Sequence, residues 1–262
     1  MIDPFPDVVR VEPAGFCNFS CKHCIVGRQG GKRGLLNYDD FVRLMMRLPS
    51  TPRVLVLYHG GEPMLNPDLE KMIAYAKAIG VCYVVFNTNA SQICDSTDLH
   101  LLDELRVSFD GKSAQENDKI RLGGMFHIEK LKIRQLSRDG QKRPRQITIY
   151  NISDGRVPDY LLDAFAGYPV VFRADKRKEW PDLQGDAVLN ADIDYCPNLW
   201  ETFTVLANGR VVMCCEDLLG QDTFGNAFEE QPLKIWARMQ IVRDAFKDGD
   251  YHPLCRRCWR LR

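Results

Sequence analysis

The sequence predicts an α/β fold built on a parallel sheet, followed by a smaller α+β region. Two observations carry that reading. From Val8 to about Ala174, short apolar β-rich runs alternate with longer runs of helical period, and after Arg173 the alternation stops. The expected strands are 8–12, 53–58, 82–86, 105–109, 146–150 and 169–174. Between them, 38–48, 67–79, 97–103, 125–138 and 158–166 carry apolar residues three and four apart, as core-facing helices do. Such a series closes a partial barrel or lies in an open doubly wound sheet, and periodicity does not choose between the two.

Lys176-Arg177-Lys178-Glu179-Trp180-Pro181-Asp182 reads as a charged connector, which places a domain boundary near residue 175 and divides the chain into 1–175 and 176–262. Beyond it, Thr202–Leu206 and Val211–Met213 flank Asn208-Gly209, a hairpin signal. A helix is expected from Pro232 to Lys247, with proline near its start and Gly249 just past its end.

A chain of 262 residues buries a core without disulfides, and 35 basic against 35 acidic side chains leave no net charge for a nucleic-acid partner or a disordered tail. Met1-Ile2-Asp3-Pro4-Phe5-Pro6-Asp7 has acids and prolines where an export signal needs a basic start and an apolar run, and no stretch is apolar enough to span a membrane. A cytoplasmic, reducing compartment is therefore expected. There, clustered thiols are more often metal ligands or catalysts than disulfides, and this chain has ten cysteines.

Cys17, Cys21 and Cys24 fall within eight residues directly after the first strand. Disulfides among them would be strained and leave one thiol over, whereas thiolates on so short a loop converge on one inorganic centre. Zinc would want a fourth ligand, and His23 adjoins Cys24 too closely to supply it. An iron–sulfur cluster held by three cysteines keeps one open coordination position, as catalytic metals do. One strand later, Leu55–His59 runs into Gly60-Gly61-Glu62-Pro63, where glycines admit a close backbone approach and a carboxylate can pair with an ammonium group.

With Cys-x3-Cys-x2-Cys placed there, the chain resembles the radical S-adenosylmethionine (radical SAM) enzymes, although His23 stands where that family usually has an aromatic side chain. The resemblance implies a partial (β/α)6 TIM-like barrel and a 4Fe–4S cluster on Cys17, Cys21 and Cys24. The open iron of that cluster would chelate S-adenosylmethionine, whose reductive cleavage gives a 5′-deoxyadenosyl radical that takes a hydrogen atom from substrate. It also implies that Gly60, Gly61, Glu62 and Pro63 receive the methionine amino group. Asn87 and Asn89 match the family's turn after the third strand, with Ala90 in place of the usual glycine. Ser108 and Arg121 resemble the residues that bind the methionine carboxylate or ribose, and Asn151, closing the fifth strand, is expected within reach of the ribose.

Cys196, Cys214, Cys255 and Cys258 lie on separate elements of the tail and can close a tetrahedral shell for zinc or an iron–sulfur cluster. Behind a radical SAM core, Gly209-x4-Cys214 and Cys255-x2-Cys258 resemble the twitch domain, a shortened SPASM extension with one auxiliary 4Fe–4S cluster. The few residues after Cys258 leave no ligands for a second. A fully coordinated cluster suits electron transfer, so the layout resembles the twitch dehydrogenases that oxidise a secondary alcohol on an aminocyclitol or sugar. A flavodoxin- or ferredoxin-type electron donor is then expected.

Radical epimerisation of a sugar-like substrate is the first alternative, with Cys94 or Cys215 returning the hydrogen atom. Peptide maturation is the second. The chain enters its first strand without a separate leader-binding segment, which weighs against it. A zinc-stabilised binding module is the non-enzymatic alternative. Cys82 is expected to be buried at the start of the third strand. Arg173 or Arg177, at the end of the sixth, would anchor substrate or stabilise charge, because arginine stays protonated.

Overall fold

A computed structural model of the chain describes residues 2–29, 33–176 and 193–259. All six expected core strands form, displaced by one to three residues at their ends: β1 Val8–Val11, β2 Val54–Val56, β3 Tyr83–Thr88, β4 Glu104–Asp110, β5 Gln146–Ser153 and β6 Val171–Lys176. They pair in parallel in sequence order. Each right-handed crossover therefore steps to the next strand in the same direction, which puts the helices on one face, whereas a doubly wound sheet reverses its order at a switch point. The fold is of the partial-barrel kind.

The helices are α1 Ile25–Gln29, α2 Tyr38–Arg47, α3 Leu69–Ala78, α4 Ala114–Ile120, α5 Phe126–Arg138 and α6 Asp159–Ala164. Their apolar stripes, including Phe41, Leu44, Met72, Ile133 and Leu161, close over Val9, Leu55, Val84, Leu105 and Ile147 of the strands. In the tail come α7 Pro197–Trp200, β7 Thr202–Val205, β8 Arg210–Val212, β9 Thr223–Asn226, α8 Pro232–Arg238, α9 Gln240–Lys247 and α10 Pro253–Arg256. The expected hairpin is β7–β8, turned at Gly209 with φ +83°. Strand β7 lies parallel to β1, with Val9 opposite Phe203, so the hairpin and β9 extend the core sheet at its β1 edge. Among the described residues no helix is long and apolar enough to cross a membrane.

Four expectations need correction. Segment 97–103 is a series of turns, because Thr97 Oγ1 accepts from the Cys94 N–H and Asp98 Oδ1 from the His100 N–H, and these local bonds compete with a helical ladder. The helix expected over 232–247 is two, α8 and α9, broken at Met239, and Arg243 donates to the Trp236 carbonyl that a continuous helix would have used. Cys82 precedes β3 and is exposed. Strand β6 starts two residues late and runs on through Asp175 and Lys176, charged residues that a half-exposed edge strand tolerates, so Arg173 is exposed in mid-strand.

Candidate active site and cluster sites

The first cysteine loop is fastened from three sides. Ser20 N donates to Leu122 O at 2.8 Å and Lys22 N to Ile120 O at 3.0 Å, which ties the loop to the end of α4. Gly124 lets Phe19 pack there, since a Cβ would meet its ring at 2.7 Å. From β3, the Asn89 amide donates to Asn18 Oδ1 at 2.9 Å and to the Cys17 sulfur at 3.8 Å. From the Gly-Gly-Glu-Pro turn, Glu62 N donates to Phe16 O at 2.9 Å.

A Cβ on Gly61 would run into the carbonyl oxygens of Ala14 and Phe16, so this glycine is required by the approach of two loops. Glu62 is buried with its carboxylate already engaged: it accepts from Met64 N, Thr88 Oγ1 and Asn89 N at 3.1, 2.7 and 2.7 Å. Burial raises its pKa despite those bonds. These bonds join the turn to the end of β3. Ala90, at φ +65°, keeps the left-handed conformation that a glycine would favour.

Beyond the carboxyl ends of the strands lies a chamber of about 400 Å³. Gly61, Asn87, Asn89, Ser108 and Arg121, all expected at the cofactor, line it. Gly60, Glu62, Pro63 and Asn151 do not. Asn151 is fully buried within β5, where its Nδ2 donates to Gly111 O at 3.0 Å. Arg121 donates to Asp110 Oδ2 at 2.8 Å; burial opposes its charge, but Asp110 and the nearby Cys21 raise its pKa. Cys215 also lines the chamber, whereas Cys94 lies on the surface in a different pocket, with Lys132 and Lys142. Arg173 is not in the lining, and Arg177 lies outside the described residues.

Sequence reasoning missed much of the chamber's polar lining. Arg10 donates to Tyr58 O at 3.2 Å and leaves a buried Nε without a hydrogen-bond partner among the described residues, and Arg106 grips Glu104 at 2.7 Å. The Tyr150 hydroxyl donates to Asp175. A signal existed: Arg10 interrupts the apolar strand β1 and Arg106 lies inside β4, and a charge within a parallel strand needs a cavity or a partner.

The tail cysteines come together. Cys196, Cys214, Cys255 and Cys258 line one pocket with Leu199, Met213, Phe246 and Leu254. Burial pushes the Cys255 thiol up to about 12, with Cys258 and Cys196 adding to it, and raises Cys214 well above the ordinary thiol value. Cys21 in the first loop is likewise pushed up to about 12 by burial, against the pull of Arg121. Thiols so desolvated ionise when a metal cancels their charge. Among the described residues no three His, Cys, Asp or Glu side chains converge closely enough to hold a single ion.

Comparison with known proteins agrees with this geometry. Residues 11–120 match the radical SAM superfamily, and residues 196–259 match the SPASM iron-sulfur cluster-binding domain. The chain carries a radical SAM domain joined to a SPASM-type domain. Its cofactors are S-adenosylmethionine and two 4Fe–4S clusters, and the zinc-module alternative falls away. Mycofactocin maturase MftC of Mycobacterium tuberculosis is 32% identical over 130 residues, 47% of this chain and 32% of that protein, so the likeness spans about a third of that relative. Among solved structures, BtrN in complex with AdoMet and 2-DOIA superposes with a TM-score of 0.62 at 16% identity, covering 98% of this chain and 94% of BtrN. Streptococcus suis SuiB bound to precursor peptide SuiA gives 0.65 at 15% identity, covering 90% of this chain and 65% of SuiB. At such identities the likeness is one of fold, and the radical SAM and SPASM segments are both within it.

Proposed function

We propose that the protein oxidises a secondary alcohol on a small polar metabolite, an aminocyclitol or sugar, by radical SAM chemistry with its tail cluster as electron acceptor. The observation that carries this reading is a shared wall: Asn198 and Glu216 line both the chamber and the four-cysteine pocket. An electron leaving a substrate in the chamber has one layer of side chains to cross.

In this reading Cys17, Cys21 and Cys24 hold the first cluster, and Cys196, Cys214, Cys255 and Cys258 hold the second. With S-adenosylmethionine bound there, the site would be supplied with the radical needed to remove a hydrogen atom from the carbinol carbon. The residues of the chain do the rest. Arg121, Ser108 and Asn87 position the cofactor in the chamber, while Arg10 and Arg106 present donors to the oxygens of the substrate. The Tyr150–Asp175 pair accepts the hydroxyl proton. The substrate thus loses one hydrogen atom, one proton and one electron, and becomes a carbonyl. Because about 400 Å³ must take cofactor and substrate together, a small substrate fits better than a long one.

The structure of SuiB with a precursor peptide keeps peptide modification as a second reading. Mass analysis of anaerobic reactions with a panel of aminocyclitols, sugars and peptides separates the possibilities. Loss of two hydrogens from an alcohol, with one 5′-deoxyadenosine per product, is the expected result. Unchanged mass with deuterium gained from solvent would indicate epimerisation, and turnover confined to peptides would overturn the proposal.

A further inference from the structure

The two residues of the shared wall differ in their bonding. Glu216 is held by Trp259, whose indole N–H donates to Oε1 at 3.4 Å. The Asn198 Nδ2 is buried with no hydrogen-bond partner among the described residues. A buried amide N–H without an acceptor is costly and rarely left so. Asn198 sits in α7, whose N-cap is Cys196 and whose first residue is Pro197, so one rigid turn carries both a thiol of the pocket and the unsatisfied amide. Besides the four cysteines, the pocket is lined by the apolar Leu199, Met213, Phe246 and Leu254 and by Glu216, whose carboxylate does not accept from the Asn198 amide.

We propose that the Asn198 side-chain amide donates a hydrogen bond to a sulfur of the cluster held by Cys196, Cys214, Cys255 and Cys258, and so raises that cluster's reduction potential. The inference rests on reading that pocket as the auxiliary cluster site. A donor aimed at a cluster sulfur stabilises the reduced, more negative state. Asn198 is thus a positioning residue that tunes the electron acceptor from the side facing the chamber, where the electron arrives.

The test uses the full chain carrying Cys17→Ala, Cys21→Ala and Cys24→Ala, in which only the tail set can hold a cluster. The midpoint potential is read by an EPR-monitored redox titration, with Asn198 intact and as Asn198→Leu, Asn198→Ala and Asn198→Gln. Leucine and alanine should move the midpoint to more negative values, by about 59 mV if the one-electron equilibrium changes tenfold. Glutamine, which keeps the amide donor, should restore most of the shift. Leucine or alanine protein that retains its irons and an unshifted midpoint overturns the proposal. Absence of iron from the triple-cysteine protein with Asn198 intact would overturn the reading of the pocket itself, which distinguishes the two failures.

Discussion

The Glu12 carboxylate, wholly buried just past β1, is gripped by both arms of the Arg33 guanidinium, Oε1 from Nη2 at 2.6 Å and Oε2 from Nε at 2.8 Å. It also accepts from Gly60 N and Ala207 N, both at 3.1 Å. One side chain therefore links the first cysteine loop, the Gly-Gly-Glu-Pro turn and the tail hairpin, and these are the parts that must stay in register around the chamber.

Removing Arg33 should be severe. Arg33→Ala strands a buried charge and is expected to cost about 3–5 kcal/mol in urea unfolding at neutral pH. The pH dependence has a definite sign. Burial opposes the Glu12 charge, but Arg33 and His59 hold its pKa below the ordinary 4.5, so its contribution is present above that value and is lost as pH falls through the folded one. Without Arg33 the bonds from Gly60 and Ala207 remain, but the largest influence opposing burial is gone and the folded pKa rises, so acidification should narrow the gap between variant and parent. A gap that widens toward pH 4 would contradict this account.

At Gly61, alanine should be intolerable, because its Cβ meets backbone carbonyls rather than mobile side-chain ends. A destabilisation of at least about 1–3 kcal/mol is expected, together with loss of iron from the first site. Calorimetry and iron assay on Gly61→Ala check both.

Reconstituted protein should carry about eight irons, two cubanes. Replacing Cys17, Cys21 and Cys24 by alanine should leave about four and abolish 5′-deoxyadenosine formation, and replacing Cys255 and Cys258 should lower the iron content while sparing the first site. Zinc in place of iron, with no absorbance in the charge-transfer region, would defeat both assignments.

Arg121 lines the chamber and is buried against Asp110. If it holds the methionine carboxylate, Arg121→Met should weaken S-adenosylmethionine binding by roughly 10- to 100-fold, the worth of about 1.5–3 kcal/mol for a hydrogen bond to a charged group. Equilibrium dialysis on reconstituted protein measures it.

Cys94 should titrate apart from the other thiols. Hydrogen bonds from Ser96 and Thr97 lower its pKa to about 7, and it is exposed. Alkylation at Cys94, followed by peptide mass analysis, should accelerate through neutral pH. In Ser96→Ala/Thr97→Ala protein the midpoint should move up toward the ordinary thiol value of 9.

Both cysteine sets and the six core strands were legible in the chain because they depend on local spacing and apolar alternation. Glu62 was legible as a functional motif, but its partners Thr88 and Asn89 lie on another strand, so its actual engagement was not. Cys94 and Cys215 looked equivalent as spare thiols. They are separated by position, one on the outer surface and one in the chamber wall.

The sequence by itself determined the radical SAM and SPASM signatures, because each is a short set of ligands whose spacing is chemistry in its own right. Only the tertiary structure decided that the six core strands follow one another in a single direction, that Arg10, Arg106, Tyr150 and Asp175 meet in one chamber, and that Asn198 stands between that chamber and the tail cysteines. Those facts rest on strand order and on contacts between residues far apart along the chain, and local patterns of polarity carry no information about either.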